Sequence, residues 1–231
     1  MIQKPAVHKA ELITKNLIAE NIWEYTFKGL GGNFNFSAGQ YVTIFIDRNT
    51  RRQYSISSSP YLLPEFQIIF DIRPNGPGTQ YLLELATSHN IEFLGPIGTF
   101  TLTDKLPQEL NFIATGTGIS PLKSMIEKAV ADNIESAINL YFGTRYRNEV
   151  IHQEFFGELK EKGKIKKYKV CLSRERIDGI DTGHVTQYIN DMDKHNSDFF
   201  LCGSGEMIRS VENLLLKSGV NLPQIHYEKF Y

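Results

Sequence analysis

Residues 110–121 of the 231-residue chain are LNFIATGTGISP. The first five of these residues predict a short, mainly apolar strand, and those that follow predict a helix with Ser120 as its N-cap and Pro121 in its first position. Gly116 and Gly118 let the backbone approach a ligand, and the N–H groups at a helix N-terminus can bind a phosphate. A plain strand-to-helix turn explains the segment equally well, because the third glycine of the usual dinucleotide fingerprint is missing.

The order of strand, turn and helix repeats through the C-terminal half of the chain. Strands are predicted at Leu110–Ala114, Ala137–Phe142, Tyr168–Leu172, Phe199–Cys202 and Ile225–Phe230, and helices at Pro121–Ala131, Gln153–Lys162, Val185–Asp191 and Glu206–Lys217. Because parallel strands are joined by helical crossovers, this alternation predicts a parallel sheet with helices on both faces.

The first hundred residues follow another pattern, in which β-branched and aromatic runs are separated by Gly, Pro and Ser clusters. Strands are predicted at Ala10–Leu17, Ile22–Lys28, Tyr41–Ile46, Arg52–Ser58 and Phe66–Arg73, with one helix at Gln80–Thr87. Many short strands with a single helix predict an antiparallel barrel. We therefore predict two domains, residues 1–104 and residues 105–231, with the boundary near Thr103–Gln108.

Composition excludes several classes of protein. The net charge of −1 gives no overall attraction to nucleic acid or to an anionic membrane, and no apolar run approaches the length of a membrane span. Cys171 and Cys202 are too few for an iron–sulfur cluster, and their spacing is not that of a zinc pair or a CxxC motif. The first residues lack the apolar core of a secretory signal, so we expect a reduced, cytoplasmic protein.

Two motifs lie in the predicted barrel. In Arg52-Gln53-Tyr54-Ser55, strand alternation places Arg52 and Tyr54 on one face, where a cation and an aromatic ring could hold a phosphate and a flat ring. A surface strand with a half-buried tyrosine is the alternative. In Gly76-Pro77-Gly78-Thr79, Thr79 could cap the following helix and the loop could bind a second phosphate oxygen, although a simple helix entry explains it equally well.

Three further motifs follow predicted parallel strands, at the sheet edge where ligands of open α/β sheets bind. Gly143-Thr144-Arg145 and Leu172-Ser173-Arg174-Glu175 bring two arginines to that edge, as an anion site or as solvated loop charges. Leu201–Ile208 is again a strand, a glycine turn and a helix, and it places Cys202 at the same edge. A buried structural cysteine is the alternative for that residue.

Taken in chain order, these segments resemble the ferredoxin–NADP reductase superfamily over nearly the whole chain. Arg52–Ser55 matches that family's FAD signature, and Gly78-Thr79 resembles its second phosphate-binding turn. The other similarities are those of residues 95–100 to the segment that closes the FAD domain, residues 116–121 to the pyrophosphate loop, residues 202–203 to the Cys-Gly beside the nicotinamide, and residues 227–230 to the terminal Glu-x-aromatic.

The resemblance implies a Greek-key FAD-binding barrel followed by a parallel α/β NAD(P)-binding domain. In that family the signature Arg binds the FAD pyrophosphate, the Tyr packs on the flavin and the Ser bonds to flavin N5, and the catalytic residues expected here are Ser55, Cys202 and Glu228. The cofactor-binding residues expected here are Arg52, Gln53, Tyr54, Ser55, Ile72, Arg73, Gly78, Thr79, Gly116, Thr117, Gly118, Arg145, Ser173, Arg174, Cys202, Gly203, Met207, Phe230 and Tyr231. No metal site is expected.

The implied function is transfer of hydride from NADPH to FAD, and of electrons to a ferredoxin or flavodoxin, by a monomer. An NAD(P)H-dependent flavin reductase, the reductase component of an oxygenase and a non-catalytic FAD electron-transfer subunit are the alternatives. The family's NADP-dependent members carry Ser-Arg where this chain has Ser173-Arg174, and Arg145 lies at the same edge. The forked guanidinium group of arginine suits the 2′-phosphate that distinguishes NADPH from NADH. We therefore predict a preference for NADPH, with NADH also possible.

Overall fold

The N-terminal strands form an antiparallel barrel in the computed structural model, which describes residues 4–230. Its elements are β1 (Ala6–Ala19), β2 (Ile22–Leu30), β3 (Tyr41–Phe45), β4 (Arg51–Ser55), β5 (Glu65–Asp71), α1 (Pro77–Glu84) and β6 (Asn90–Ile97). The strand order is β4-β3-β6-β1-β2-β5, with every neighbouring pair antiparallel. A bridge between Ile56, just after β4, and Ile68 of β5 joins the two ends of the sheet.

Aromatic side chains fill the barrel. Tyr25, Phe27, Phe66 and Phe93 are fully buried, and Leu82 of α1 packs into the same cluster. The four aromatic side chains lie on the inward faces of their strands, as strand alternation predicts. Burial of one such side chain stabilises the folded state by roughly 1.5–3 kcal/mol. The high aromatic content of the sequence is therefore explained in part by this core.

The C-terminal strands form a parallel sheet. The elements are β7 (Glu109–Thr115), α2 (Ile119–Ala131), β8 (Ala137–Thr144), α3 (Gln153–Glu161), β9 (Lys167–Leu172), β10 (Asp181–Thr182), β11 (Ser197–Ser204), α4 (Gly205–Lys217) and β12 (Ile225–Phe230). Their order is β10-β9-β8-β7-β11-β12, and every neighbouring pair is parallel. The central strands are buried along nearly their whole length, as expected of a sheet covered on both faces. Both predicted sheet types are confirmed.

The chain divides into two compact units. One contains the residues up to Leu102 together with Lys123–Ala131, the second part of α2. The other contains Thr103–Leu122 and the chain from Asp132 onward. The helix segment Lys123–Ala131 therefore belongs with the barrel by its contacts, although it follows the first strand of the parallel sheet in the chain.

Both predicted helix caps are wrong. Helix α2 begins at Ile119, directly after a 3₁₀ turn at Gly116–Gly118, and Ser120 Oγ donates to the Thr117 carbonyl at 2.7 Å instead of accepting from the helix. Helix α1 begins at Pro77 with Gly76 as its N-cap, so Thr79 lies inside the first turn. A proline fits the first helical position because its missing N–H would have no intrahelical partner there.

Several predicted elements differ in extent or type. The predicted strand Arg52–Ser58 ends at Ser55, and Phe66–Arg73 ends at Asp71, whose carboxylate accepts the Arg73 backbone N–H and closes a turn. The segment Val185–Asp191 is a 3₁₀ helix. Strands β6 and β10 were not predicted: β6 contains Gly95-Pro96, which interrupts a strand pattern, and β10 is only two residues long.

None of the helices in residues 4–230 combines the length and the apolar composition needed to cross a membrane.

Candidate functional site

The order of the parallel strands locates a crevice at one edge of the sheet. Strand β7 lies between β8, which follows it in the chain, and β11, which comes much later. The connections from β7 and β11 therefore diverge, and this reversal leaves a crevice beyond the carboxyl ends of the two strands. The turn at Gly116–Gly118 follows β7, and Gly205 begins α4 directly after β11, so both predicted glycine turns lie at this position.

The turn after β7 lies against the backbone of β11. A Cβ built on Gly118 would stand 2.5 Å from the carbonyl carbon of Cys202 and 2.6 Å from Cα of Gly203, so no other residue fits there without a backbone shift. The Ser204 N–H donates to Thr115 Oγ1 at 3.3 Å. Thr115 was not predicted as a site residue, although its position at the strand end, directly before the glycines, is the signal that could have identified it.

The Gly116–Gly118 turn fits a pyrophosphate. No side chain caps the turn, and Gly116 has a φ of +55°, a conformation that a glycine adopts readily. Helix α2 follows at once and presents the positive end of a 13-residue helix dipole. Backbone N–H groups and this dipole are suited to a dinucleotide phosphate.

Cys202 and Glu228 are neighbours in the sheet. Cys202 lies between Ala114 of β7 and Glu228 of β12 in the parallel register. Cys202 is fully buried, and burial, with the Glu228 carboxylate as a lesser cause, raises the pKa of its thiol well above the usual range. The thiol therefore stays protonated near neutral pH and can act as a weak hydrogen-bond donor.

Arg145 and Arg174 are adjacent at the ends of β8 and β9. The Arg174 N–H donates to the Arg145 carbonyl at 3.0 Å. The buried carboxylate of Glu149 accepts from Arg145 through the backbone N–H at 3.1 Å, Nε at 3.1 Å and Nη2 at 2.7 Å. Glu175 accepts the Arg147 backbone N–H at 2.7 Å.

The guanidinium groups of the two arginines therefore differ in how available they are to bind an anion. Arg145 is fixed by Glu149, which also offsets its charge, whereas Arg174 is exposed. Glu149 was not predicted, because Arg145 and Glu149 are joined by a bend and a 3₁₀ turn, where sequence spacing does not indicate which side chains pair.

In the barrel, three predicted residues converge. A Cβ on Gly78 would lie 2.6 Å from Arg52 Cγ and 2.7 Å from the Tyr54 hydroxyl, so Arg52 and Tyr54 share a face, and Gly78, in the first turn of α1, packs against β4. The Tyr54 ring packs edge-on against Phe70, with centroids 6.2 Å apart. Burial raises the pKa of the Tyr54 hydroxyl to about 12, so it remains a neutral donor.

The N-terminus of α1 fits a second phosphate. No side chain caps this helix, whose N-cap is Gly76 and whose first residue, Pro77, has no N–H. The N–H groups of Gly78 and Thr79 come next in the first turn, where an intrahelical partner is lacking. The aliphatic part of the Arg52 side chain lies against Gly78, and its guanidinium donates to the Arg51 carbonyl at 2.8 Å. A cationic side chain and free helix N–H groups therefore lie close together, as an anion requires.

The remaining predicted residues have varied surroundings. Gln53 donates to the Tyr41 hydroxyl at 3.3 Å, and Ser55, which is buried, faces Tyr41 in the β3–β4 register. Ile72 is half-buried against the barrel core, while Arg73 forms a two-pronged pair with Asp71.

In the second unit, Ser173 donates its N–H to the Thr144 carbonyl at 2.9 Å and so stands at the sheet edge. Met207 is buried in the hydrophobic core under α4, and its N–H is capped by Ser204 Oγ at 3.2 Å. Thr117 lies in the middle of the 3₁₀ turn, and Gly203 faces Lys229 of β12. Phe230 is the last residue of β12, and its side chain and Tyr231 lie outside what the structure describes.

Family comparisons match both halves of the chain. Residues 9–102 match a family described as an oxidoreductase FAD-binding domain, and residues 112–213 match an oxidoreductase NAD-binding domain. The two cofactors predicted from the sequence, FAD and a nicotinamide dinucleotide, are therefore confirmed.

Two related proteins are similar in sequence to this chain over nearly its whole length. Ferredoxin–NADP reductase B of Sorangium cellulosum is 27% identical over 96% of this chain and 97% of that protein. A toluate 1,2-dioxygenase electron transfer component of Pseudomonas putida is 26% identical over 97% of this chain and 66% of its own length. The cytochrome P450 reductase of Amycolatopsis has the same fold, with a TM-score of 0.90 at 23% identity over 98% of this chain and 70% of that one.

Proposed function

Because this chain belongs to the ferredoxin–NADP reductase superfamily, in the form with one FAD-binding and one NAD-binding domain, we propose that it oxidises NADPH and delivers the electrons to a ferredoxin or flavodoxin. The observation that carries the proposal is the match to a ferredoxin–NADP reductase along 97% of that protein's length. The chain spans only about two thirds of the toluate dioxygenase component. FAD supplies the chemistry, since it accepts a hydride and can release electrons singly.

The residues of the barrel would hold FAD. Arg52 and the N-terminus of α1 would bind the two phosphates, Tyr54 would pack on the flavin ring, and the Ser55 hydroxyl would bond to flavin N5. The convergence of Arg52, Tyr54 and Gly78 supports this assignment. In the parallel sheet, the turn at Gly116–Gly118 would hold the pyrophosphate of NADPH.

Cys202 and Glu228 would line the nicotinamide site. A protonated thiol and a carboxylate on neighbouring strands can orient a ring and hold a proton without forming a covalent bond to it. Cys202→Ala and Glu228→Gln are each expected to slow flavin reduction by NADPH in stopped flow by roughly tenfold or more, because orientation of the reacting groups is lost. Both variants should purify with FAD bound. Wild-type reduction rates in both would remove these residues from the reaction.

The choice of NADPH depends on Arg174. Arg174→Ala is expected to raise the KM for NADPH by roughly tenfold or more, the loss of one charge-assisted hydrogen bond, and to leave the KM for NADH within about twofold. Arg176→Ala is the matched control, since Arg176 is also exposed and lies two residues away. Steady-state kinetics with both nucleotides provide the test. An equal rise in the KM for NADPH and for NADH would mean that Arg174 binds a part that the two nucleotides share. A wild-type enzyme that prefers NADH would overturn the NADPH proposal.

An oxygenase component is the second candidate acceptor, because the toluate dioxygenase relative covers 97% of this chain. To distinguish this candidate from a ferredoxin or flavodoxin, the NADPH-reduced enzyme is mixed with ferredoxin, flavodoxin, an oxygenase component or free flavin. Electron transfer to each acceptor is then measured. Fast transfer to a ferredoxin or flavodoxin supports the proposal. Transfer to an oxygenase component or to free flavin alone would refute it.

A further inference from the structure

A buried ion cluster lies in the unit that contains the barrel. Lys123 of α2 is 4% exposed, and Glu24 of β2 is 6% exposed. Lys123 Nζ is 2.7 Å from Glu127 Oε1 and 4.0 Å from Glu24 Oε1. It also donates to the Ser57 carbonyl at 3.3 Å and to Gln67 Oε1 at 3.5 Å. A buried ammonium with carboxylate and carbonyl partners on several sides is a fixed polar centre, because moving it would leave charges unpaired.

Residues of the cluster and its helix form hydrogen bonds with one segment, Ser57–Ser59, which we call the serine segment. Three side chains of α2 contact three consecutive residues of it: Lys123 donates to the Ser57 carbonyl, Ser124 Oγ donates to the Ser58 carbonyl at 2.6 Å, and Glu127 Oε2 accepts the Ser59 N–H at 2.7 Å. All three serines are buried. All these residues belong to the unit that contains the barrel.

The serine segment needs these partners because it has left the sheet. Strand β4 ends at Ser55, and after the Ile56 bridge the serine segment turns toward Pro60. The Ser57 N–H still reaches the Gln67 carbonyl, at 2.8 Å, but the carbonyls of Ser57 and Ser58 and the N–H of Ser59 bond to α2. Buried backbone groups that lose such partners cost about 1–3 kcal/mol each, so the helix fixes the path of this segment.

The position of the serine segment bears on the flavin site. It begins two residues after Ser55 and three after Tyr54, the residues assigned above to flavin N5 and the flavin ring. Over two or three peptide units, a displaced backbone changes the direction of the neighbouring side chains, and functional groups need to be held to within about 0.5 Å. We propose that Lys123, Ser124 and Glu127 are positioning residues that hold the serine segment and thereby set the conformation of Tyr54 and Ser55 at the flavin. This inference rests on the proposed FAD site.

The test compares Lys123→Met with Lys128→Met in full-length protein. Methionine keeps a flexible, unbranched side chain and removes the charge, and Lys128 lies on the same helix against the Tyr61 ring, outside the cluster. We expect Lys123→Met to raise the Kd for FAD at least tenfold and to change the visible circular dichroism of bound flavin. Amide hydrogen exchange at residues 52–59 should accelerate at least tenfold. Lys128→Met should stay within twofold of wild type in all three measurements.

Ser124→Ala keeps the proposal testable if Lys123→Met does not fold. It deletes one hydroxyl, and we expect exchange at residues 52–59 to accelerate about threefold, with a similar weakening of FAD. Wild-type affinity and wild-type exchange at residues 52–59 in a folded Lys123→Met or Ser124→Ala protein would overturn the proposal. Faster exchange throughout the barrel with unchanged FAD affinity would also overturn it. The exchange readout needs neither NADPH nor an electron acceptor, so it is independent of the proposed reaction.

Discussion

Replacing Arg52 with alanine is expected to weaken FAD binding by roughly ten- to a hundredfold, the loss of a charge-assisted hydrogen bond worth about 1.5–3 kcal/mol. Arg52 Cγ lies at Gly78, at the start of α1, so its guanidinium can reach a phosphate bound at that helix N-terminus. The variant should purify pale and recover its colour only with excess FAD. Titration of the apoprotein with FAD, followed by flavin fluorescence, measures the effect.

Arg51→Ala is the matched control. Arg51 is also exposed and lies in the same strand, but alternation turns it to the other face, where its guanidinium stands 4.7 Å from the centre of the Phe45 ring. Arg51→Ala removes one positive charge from β4, as Arg52→Ala does, but leaves the contact between Arg52 and Gly78 intact. The affinity for FAD should therefore change less than threefold. If Arg52→Ala held FAD as tightly as wild type, or if both variants lost it equally, the assignment of Arg52 to the pyrophosphate would be wrong.

Replacing Gly118 with alanine is expected to reduce the rate of flavin reduction by NADPH about a hundredfold while FAD remains bound. The new Cβ would stand 2.5 Å from the Cys202 carbonyl carbon, so the turn must move by about 1 Å to reach an ordinary contact distance. A misplacement of about 1 Å can cost on the order of a hundredfold in rate, and overpacking of this kind costs typically 1–3 kcal/mol of stability. Stopped-flow reduction and thermal unfolding measure the two effects.

Gly157→Ala is the control for this glycine substitution. Gly157 lies in α3, and nothing stands within 4 Å of a Cβ built there. Alanine in an open helical position should stabilise the protein by about 0.5–1 kcal/mol and leave flavin reduction unchanged. A Gly118→Ala enzyme that NADPH reduces at the wild-type rate would show that the turn does not hold the dinucleotide.

The barrel motif shows how far local patterns reach. Alternation in β4 predicts that Arg52 and Tyr54 lie on one face, and in the structure Gly78 contacts both side chains. The predicted caps at Ser120 and Thr79 are wrong because helix α2 begins at Ile119 and helix α1 at Pro77, so both residues lie inside their helices. Ser120 Oγ donates to the Thr117 carbonyl instead of capping the helix. The start of each helix depends on where the preceding turn ends, which neighbouring residue types do not determine.

Residue patterns alone predict the two sheet types and the positions of most strands and helices. Periodicity reports which side of a segment is buried, and glycine and proline mark where the segment stops. The contacts between distant residues are evident only in the folded chain: Cys202 lies beside Glu228, Gly118 packs on Cys202, and Lys123 bonds to Ser57, 66 residues away in the chain. The physical reason is that strand order and helix docking follow from the packing of the whole core, whereas a local pattern shows only that a face is buried and not what covers it.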